Sequence, residues 1–297
     1  MTYSDLLVEY KDKTKDDTTA NVARGGRRIN AHHRILAADE NYFWRDKALS
    51  ITTVASQQVY DLPIDLDKVN SGIRCVDTGG DTLGVTVEIT SYSEFDTLNI
   101  MGTDTTSDYI QFHHIRNKQL YIFPTPATAG YTLQGEYTRK PYKMTLEDVT
   151  TGTVSVTNGS TAVTGSSTQF DTENIKAGCV IEFDGDGIFY EVASVTNDTA
   201  LVLSQDYEGV TASGLTYRAG HAPIIPEPYQ DLLWLYPAFE YNMKKGDVKA
   251  NSDITGMIKL LEDGLKKYSQ SKSGSNIIKS RHRRIRNPNL YPSNITS

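Results

Sequence analysis

Thr153-Val154-Ser155-Val156-Thr157-Asn158-Gly159 is the stretch on which the reading of this chain turns. Its first five residues alternate valine with small hydroxyl residues, the period of a half-buried strand. Asn-Gly then supplies the two positions that tolerate positive φ in a tight hairpin. Working outward, residues 152–219 stay rich in Thr, Ser, Val and Gly and carry few helix formers. Further β-branched runs at 180–183, 189–195 and 200–203 are separated by Asp184-Gly185-Asp186-Gly187 and by Asn197-Asp198. Strands at this spacing predict a small sandwich or barrel. Residues 148–219 therefore read as an inserted β domain. It is acidic, with only Lys176 and Arg218 set against many carboxylates.

On either side of the insert the style is different. Tyr3, Leu6, Leu7 and Tyr10 stand at helical spacing. Asp16, Asp17, Thr18 and Thr19 offer N-cap chemistry for a longer helix over residues 18–42. Val22, Ile29, Leu36 and Phe43 form its seam, with Arg24, Arg27, Arg28 and Arg34 mostly off it. Gly25-Gly26 costs that helix about 1 kcal/mol per glycine relative to alanine. The pair either kinks the helix or admits another backbone. Short β runs follow between residues 50 and 137, with a short helix at 91–98. After the insert, Tyr229, Leu232, Leu233, Tyr236, Phe239 and Met243 mark a helix that Pro237 should kink. Gly246-Asp247 ends it, and residues 250–268 make a second helix antiparallel to the first. The expected fold is α+β. It has a mainly helical core of residues 1–147 and 220–272 (long N-terminal helix, C-terminal helical hairpin) with a small β region. The all-β insert of residues 148–219 and an extended basic arm of residues 273–297 complete it.

That arm is the sharpest charge feature. Lys272, Lys279, Arg281, Arg283, Arg284 and Arg286 follow one another with no Asp or Glu, in a chain whose net charge is −7. A polar basic segment cannot bury enough surface to offset its own ordering entropy. It is either a solvated terminus or an arm that orders on a partner. The acidic remainder argues against broad nucleic-acid binding. No apolar run reaches the roughly 18 residues that span a bilayer, and residues 1–17 lack a signal-peptide layout. Synthesis and residence in the cytosol and no membrane partner are the expectation. Cys75 and Cys179 read as two buried thiols.

No constellation points to catalysis. His32-His33 and His113-His114 are adjacent pairs, which diverge on a helix or a strand and so cannot converge on a metal. Asp184-Gly185-Asp186-Gly187 lacks the downstream ligands of a calcium loop and reads as a tight turn. A nucleophile elbow, a phosphate-binding glycine loop and an HExxH helix are all missing from the sequence. The expectation is a non-enzyme without cofactor or metal. Arg24, Arg27, Arg28 and Arg34 could touch phosphates or pair with acidic surfaces of this chain or a neighbour.

The order of several motifs resembles the head-to-tail adaptor (connector) proteins of tailed bacteriophages, a family that includes tail accessory factors and tubular adaptors. The motifs are Arg27-Arg28-Ile29-Asn30, Phe43-Trp44, Gln58-Val59-Tyr60-Asp61-Leu62-Pro63, and Leu120-Tyr121-Ile122-Phe123-Pro124-Thr125-Pro126. Glu136-Tyr137 near Pro141 and Ile225-Pro226-Glu227-Pro228-Tyr229 complete the series. The resemblance covers about residues 1–147 and 220–272. The insert departs from a minimal adaptor. The resemblance implies a homo-oligomeric ring, usually dodecameric, in the virion neck beneath the portal protein. A downstream tail protein binds below, and genomic DNA passes through without sequence-specific contact. It places the portal-binding arm at Lys279, Arg281, Arg283, Arg284, Arg286 and Tyr291, and leaves Arg24, Arg27, Arg28 and Arg34 for the ring interface or lumen. The alternative is a tail-associated module whose β insert binds a host surface glycan.

Overall fold

In the computed structural model, which describes residues 1–38, 42–70, 72–101 and 106–276, the chain begins with two packed helices. Helix α1 (Tyr3–Thr14) starts at a capping box. Thr2 Oγ1 accepts from Asp5 N at 3.3 Å while Asp5 Oδ2 accepts from Thr2 N at 2.8 Å, which satisfies two of the orphan donors at a helix start. Lys15 closes α1 at a φ of 50°. Helix α2 (Thr19–Ala38) follows, with Thr18 Oγ1 accepting from Asn21 N at 3.4 Å. The two helices cross at Gly25 and Gly26. A Cβ on Gly25 would sit 2.4 Å from Tyr10 Cε1, and one on Gly26 would sit 2.3 Å from the Tyr3 hydroxyl. What comes close to the glycine pair is not another backbone, as expected, but side chains of α1. The missing side chains are the space that the two tyrosine rings fill.

After a turn at Phe43–Arg45 come nine strands and one helix. They are β1 (Asp46–Thr52), β2 (Val59–Asp61), β3 (Leu66–Val69), β4 (Arg74–Val76), β5 (Thr82–Val85) and β6 (Val87–Glu88), then α3 (Tyr92–Met101), β7 (Phe112–Arg116), β8 (Gln119–Phe123) and β9 (Thr132–Arg139). One sheet runs β1-β9-β4-β5 with β3 also on β9, and a second runs β2-β8-β7-β6. Leu49, Cys75 and Leu133 from the first sheet, with Ile73 just before β4, share a buried cluster with Tyr60, Leu120 and Ile122 from the second, so the two sheets form a sandwich. Helix α3 covers the second sheet, laying Phe95 and Tyr92 beside His114 and Tyr121.

Residues 153–220 make the third sheet: β10 (Thr153–Val156), β11 (Ala162–Ser166), β12 (Val180–Phe183), β13 (Phe189–Asn197), β14 (Ala200–Leu203), β15 (Ala212–Leu215) and β16 (Tyr217–Gly220). Its order is β15-β10-β11-β14-β13-β12-β16. The outermost strands β15 and β16 are separated by Thr216 alone, so one piece of chain supplies both edges and the sheet curls closed. Val154, Val163, Phe170, Ile181, Val192 and Leu201 fill the interior. The Asn158-Gly159 corner connects β10 to β11 with Gly159 at a φ of 74°, and Asn158 Nδ2 donates to the carbonyls of Glu208 and Gly209.

The chain then returns to helix α4 (Leu232–Lys245) and helix α5 (Val248–Asn276). Gly246, at a φ of 76°, ends α4, its amide donating to Asn242 and Met243 carbonyls. Leu233, Leu235 and Ala238 of α4 and Ile254 of α5 are buried together with Leu6, Leu7, Tyr10 and Ile29. Pro237 lies within α4 and is buried.

The expected mainly helical core with a small β region is overturned. Sheets make up most of the architecture, with sixteen strands in three sheets against five helices among the described residues. The reason is local. The core strands run two to eight residues, too short for period-2 alternation to stand out, whereas α2 and α5 repeat their apolar pattern over several turns. Two bounds also differ. Helix α2 is described only to Ala38, with Phe43 in the turn beyond it, and α5 continues to Asn276, which takes residues 273–276 of the expected arm into the helix.

Replacing Gly25 by Ala should lower the free energy of unfolding by about 1–3 kcal/mol through overpacking against Tyr10, although alanine is the better helix former. A urea midpoint unchanged or raised would show that the glycine is not needed for close approach.

Candidate interaction surfaces

The chain leaves the core sandwich along residues 140–149 and re-enters the helical layer along 218–225, and these two crossings run side by side. Val149 and Ala219 exchange backbone hydrogen bonds of 2.8 and 2.9 Å. His221 Nδ1 accepts from the amides of Thr145 and Leu146 at 2.9 and 2.8 Å, which requires an unprotonated nitrogen there, and burial lowers the His221 pKa to match. The start of α1 is tied to the same place. Tyr3 N donates to His221 O at 2.7 Å, Thr2 Oγ1 to Asp148 at 3.0 Å, and Asp148 N to Ser4 Oγ at 2.8 Å. At the centre, Arg218 on β16 places Nη1 2.8 Å from Asp5 and 3.7 Å from Asp148, and its Nε donates to Glu182 on β12. Its guanidinium also lies 5.2 Å from the Phe189 ring centroid. Barrel, crossing and first helix are thus joined through one side chain.

The four arginines of α2 divide in two. Arg28 pairs with Glu240 of α4 at 3.0 Å, beside His32, which lies 3.3 Å from the same carboxylate and stacks on Tyr236 at 4.6 Å. Arg24 sits over the Tyr241 ring at 6.0 Å. Tyr241 donates its hydroxyl proton to Asp16, and this bond, with the two from Thr18, lowers the Asp16 pKa to about 2. Arg27 and Arg34 are exposed. The structure brings Arg24 and Arg28 onto α4, and does not bring Arg27 or Arg34 to them. Lys279, Arg281, Arg283, Arg284, Arg286 and Tyr291 lie outside the described residues.

Asn30 has a role that the sequence reading missed. Its amide donates to Met144 O at 2.9 Å and accepts from Met144 N at 2.7 Å, so a buried side chain stands in for a strand partner. An asparagine facing inward among the apolar residues of α2 was the available signal.

The histidine pairs are used locally. His113 Nδ1 lies 2.8 Å from Thr86 Oγ1, and His114 Nδ1 lies 2.7 Å from Ile89 O. His33 is fully buried and its Nε2 accepts from Ile224 N at 3.2 Å. Among the described residues, no group of three or more His, Cys, Asp and Glu side chains is placed to hold a metal. Asp184-Gly185-Asp186-Gly187 is the turn from β12 to β13, with both glycines at positive φ and Asp184 and Asp186 accepting from Thr216 and Tyr190.

Burial lowers the His33 pKa from 6.5 to about 4. The unfolded chain therefore binds this proton at a higher pH than the native chain. Stability from His33 is intact above pH 6.5 and is lost as pH falls towards 4, by at most about 3 kcal/mol. Asp16 adds a second loss between its ordinary value of 3.8 and about 2. Chemical denaturation from pH 7 to 4 should show this decline, and a His33→Gln variant should show a shallower one; equal slopes would refute the assignment to His33.

A family model described as SU10 adaptor protein matches residues 1–158, which takes in α1, α2, the whole β-sandwich and the first strand of the barrel. No curated protein matches the chain. With more than half of its length matched, the chain belongs to the SU10 adaptor protein family and is a bacteriophage structural adaptor.

Proposed function

We propose that this chain forms a dodecameric ring in the virion neck, beneath the portal protein, and joins it to a downstream tail protein. Genomic DNA passes through the lumen without sequence-specific contact, and the role is structural, without catalysis. The observation that carries the reading is the last helix, taken with family membership. Helix α5 is packed through Ile254, Leu265 and Ser269 and continues to Asn276, immediately before the segment proposed to meet the portal. At 1.5 Å per residue α5 is about 43 Å long.

In this arrangement Lys279, Arg281, Arg283, Arg284, Arg286 and Tyr291 dock on the portal, their basic charge meeting an acidic surface there. Arg27 and Arg34, exposed and off α4, serve the contact between neighbouring subunits or face the lumen, while Arg24 and Arg28 hold the helical layer together. Exposed Ile35 on α2 and Leu260 on α5 give neighbouring copies an apolar contact as well.

Mixing the purified chain with portal rings and imaging by electron microscopy should show a second ring stacked coaxially under the portal. Removing residues 277–297 should abolish that stacking and leave thermal stability unchanged. Stacked rings formed by the truncated chain would assign portal contact elsewhere, and bare portal rings with the full chain would end the adaptor geometry proposed here.

A further inference from the structure

A crevice of about 710 Å³ opens between the core sandwich and the barrel. It falls within the roughly 300–1,000 Å³ typical of ligand-binding clefts. Pro63 and Ile64 on one side and Val180, Ala193 and Pro223 on the other give it apolar walls, and Ile64 is 83% exposed there. An isoleucine this open, beside a concave apolar surface, is a large apolar side chain that the rest of the chain leaves uncovered.

Around these walls the charge departs from that of the rest of the molecule. Lys47, Arg139, Lys143 and Lys176 line the crevice, and Lys118 and Lys140 adjoin it, with Lys118 Nζ on Ile64 O at 3.0 Å and Lys140 N on Asp65 O at 2.8 Å. Two carboxylates oppose them, and both are engaged: Asp65 accepts from Tyr137 at 3.0 Å, and Glu191 pairs with Lys47. Arg139 Nε is buried without a hydrogen-bond partner among the described residues. Lys118 and Lys140 sit close enough to interact directly, and Lys140 lowers the Lys118 pKa. Asp65 offsets this pair only in part, since the net shift of Lys118 is downward, and an incoming anion would relieve the remaining repulsion.

We propose that this crevice binds an acidic peptide segment of a partner protein, one that sets an apolar side chain against Ile64 and carboxylates against Arg139, Lys143 and Lys176. Peptide is favoured over nucleic acid by the apolar walls and by the built-in carboxylates, which would oppose a phosphate backbone. The hydroxyls of Tyr137 and Tyr142 are tied to Asp65 and Ala222, which holds those rings as walls. The proposal goes beyond the adaptor geometry and does not depend on portal binding, which uses a different part of the chain.

The test is fluorescence anisotropy of the full chain with a labelled octapeptide of alternating Glu and Leu. A Gln/Leu octapeptide and a thymidine octanucleotide serve as comparators. The Glu/Leu peptide should bind in a salt-dependent way, and Lys143→Glu with Lys176→Glu should weaken it about tenfold while leaving the melting temperature in place. Equal binding of the Gln/Leu peptide would remove the charge argument. Tighter binding of the oligonucleotide would assign the site to phosphate, and affinity unmoved by the double substitution would place the peptide elsewhere; each overturns the proposal.

Discussion

A guanidinium held by carboxylates from three separate parts of the chain fixes how the barrel sits on the rest of the protein. Asp5 comes from the first helix, Asp148 from the outgoing crossing and Glu182 from the barrel wall, and Arg218 meets all three. Without it, three negative groups would face one another across the seam. The site is partly solvated, so the contribution of each pair is modest. What Arg218 adds is direction, because its planar donors meet Asp5 and Glu182 together only in one arrangement, with Asp148 beside them at 3.7 Å. The surrounding backbone bonds at Tyr3, Val149 and His221 then have a fixed geometry to form in.

Two consequences follow for the larger assembly. The glycine contact between α1 and α2 anchors the first helix, and through Asp5 that helix anchors the barrel, so the position of the barrel depends on packing inside the helical layer. The crevice exists because the barrel is held close to the sandwich without being sealed against it. Lys47 bridges the gap to Glu191, and Tyr142 reaches from the outgoing crossing to Ala222 on the return. A surface of this kind, apolar between basic residues, is suited to a partner that brings charge of the opposite sign.

Much of the local structure could be read from the residues. The Thr/Val alternation around Val154, the Asp184–Gly187 turn and the Gly246 helix stop are short-range features, set by backbone sterics that act within a few residues. Gly25-Gly26 left two readings open, and neither named the ring of Tyr10 that packs there. The weight of β-structure was underestimated because strands such as Arg74–Val76 and Val87–Glu88 carry almost no period of their own; pairing across the sheet gives them their identity. The functional features were harder still. Asn30 finds Met144 across 114 residues, and Arg218 finds Asp5 across 213. The cations around the crevice are scattered singly from Lys47 to Lys176, so no window of sequence collects them.

Differential scanning calorimetry of the full chain and an Arg218→Ala variant tests the dependence on this seam most directly. With Arg218 in place, the helical layer, sandwich and barrel should melt in one cooperative transition. In the variant the barrel, with its own buried core of Val154, Phe170, Ile181 and Leu201, should melt separately from the remainder. A single transition retained by the variant, or two transitions already present in the parent chain, would contradict the account.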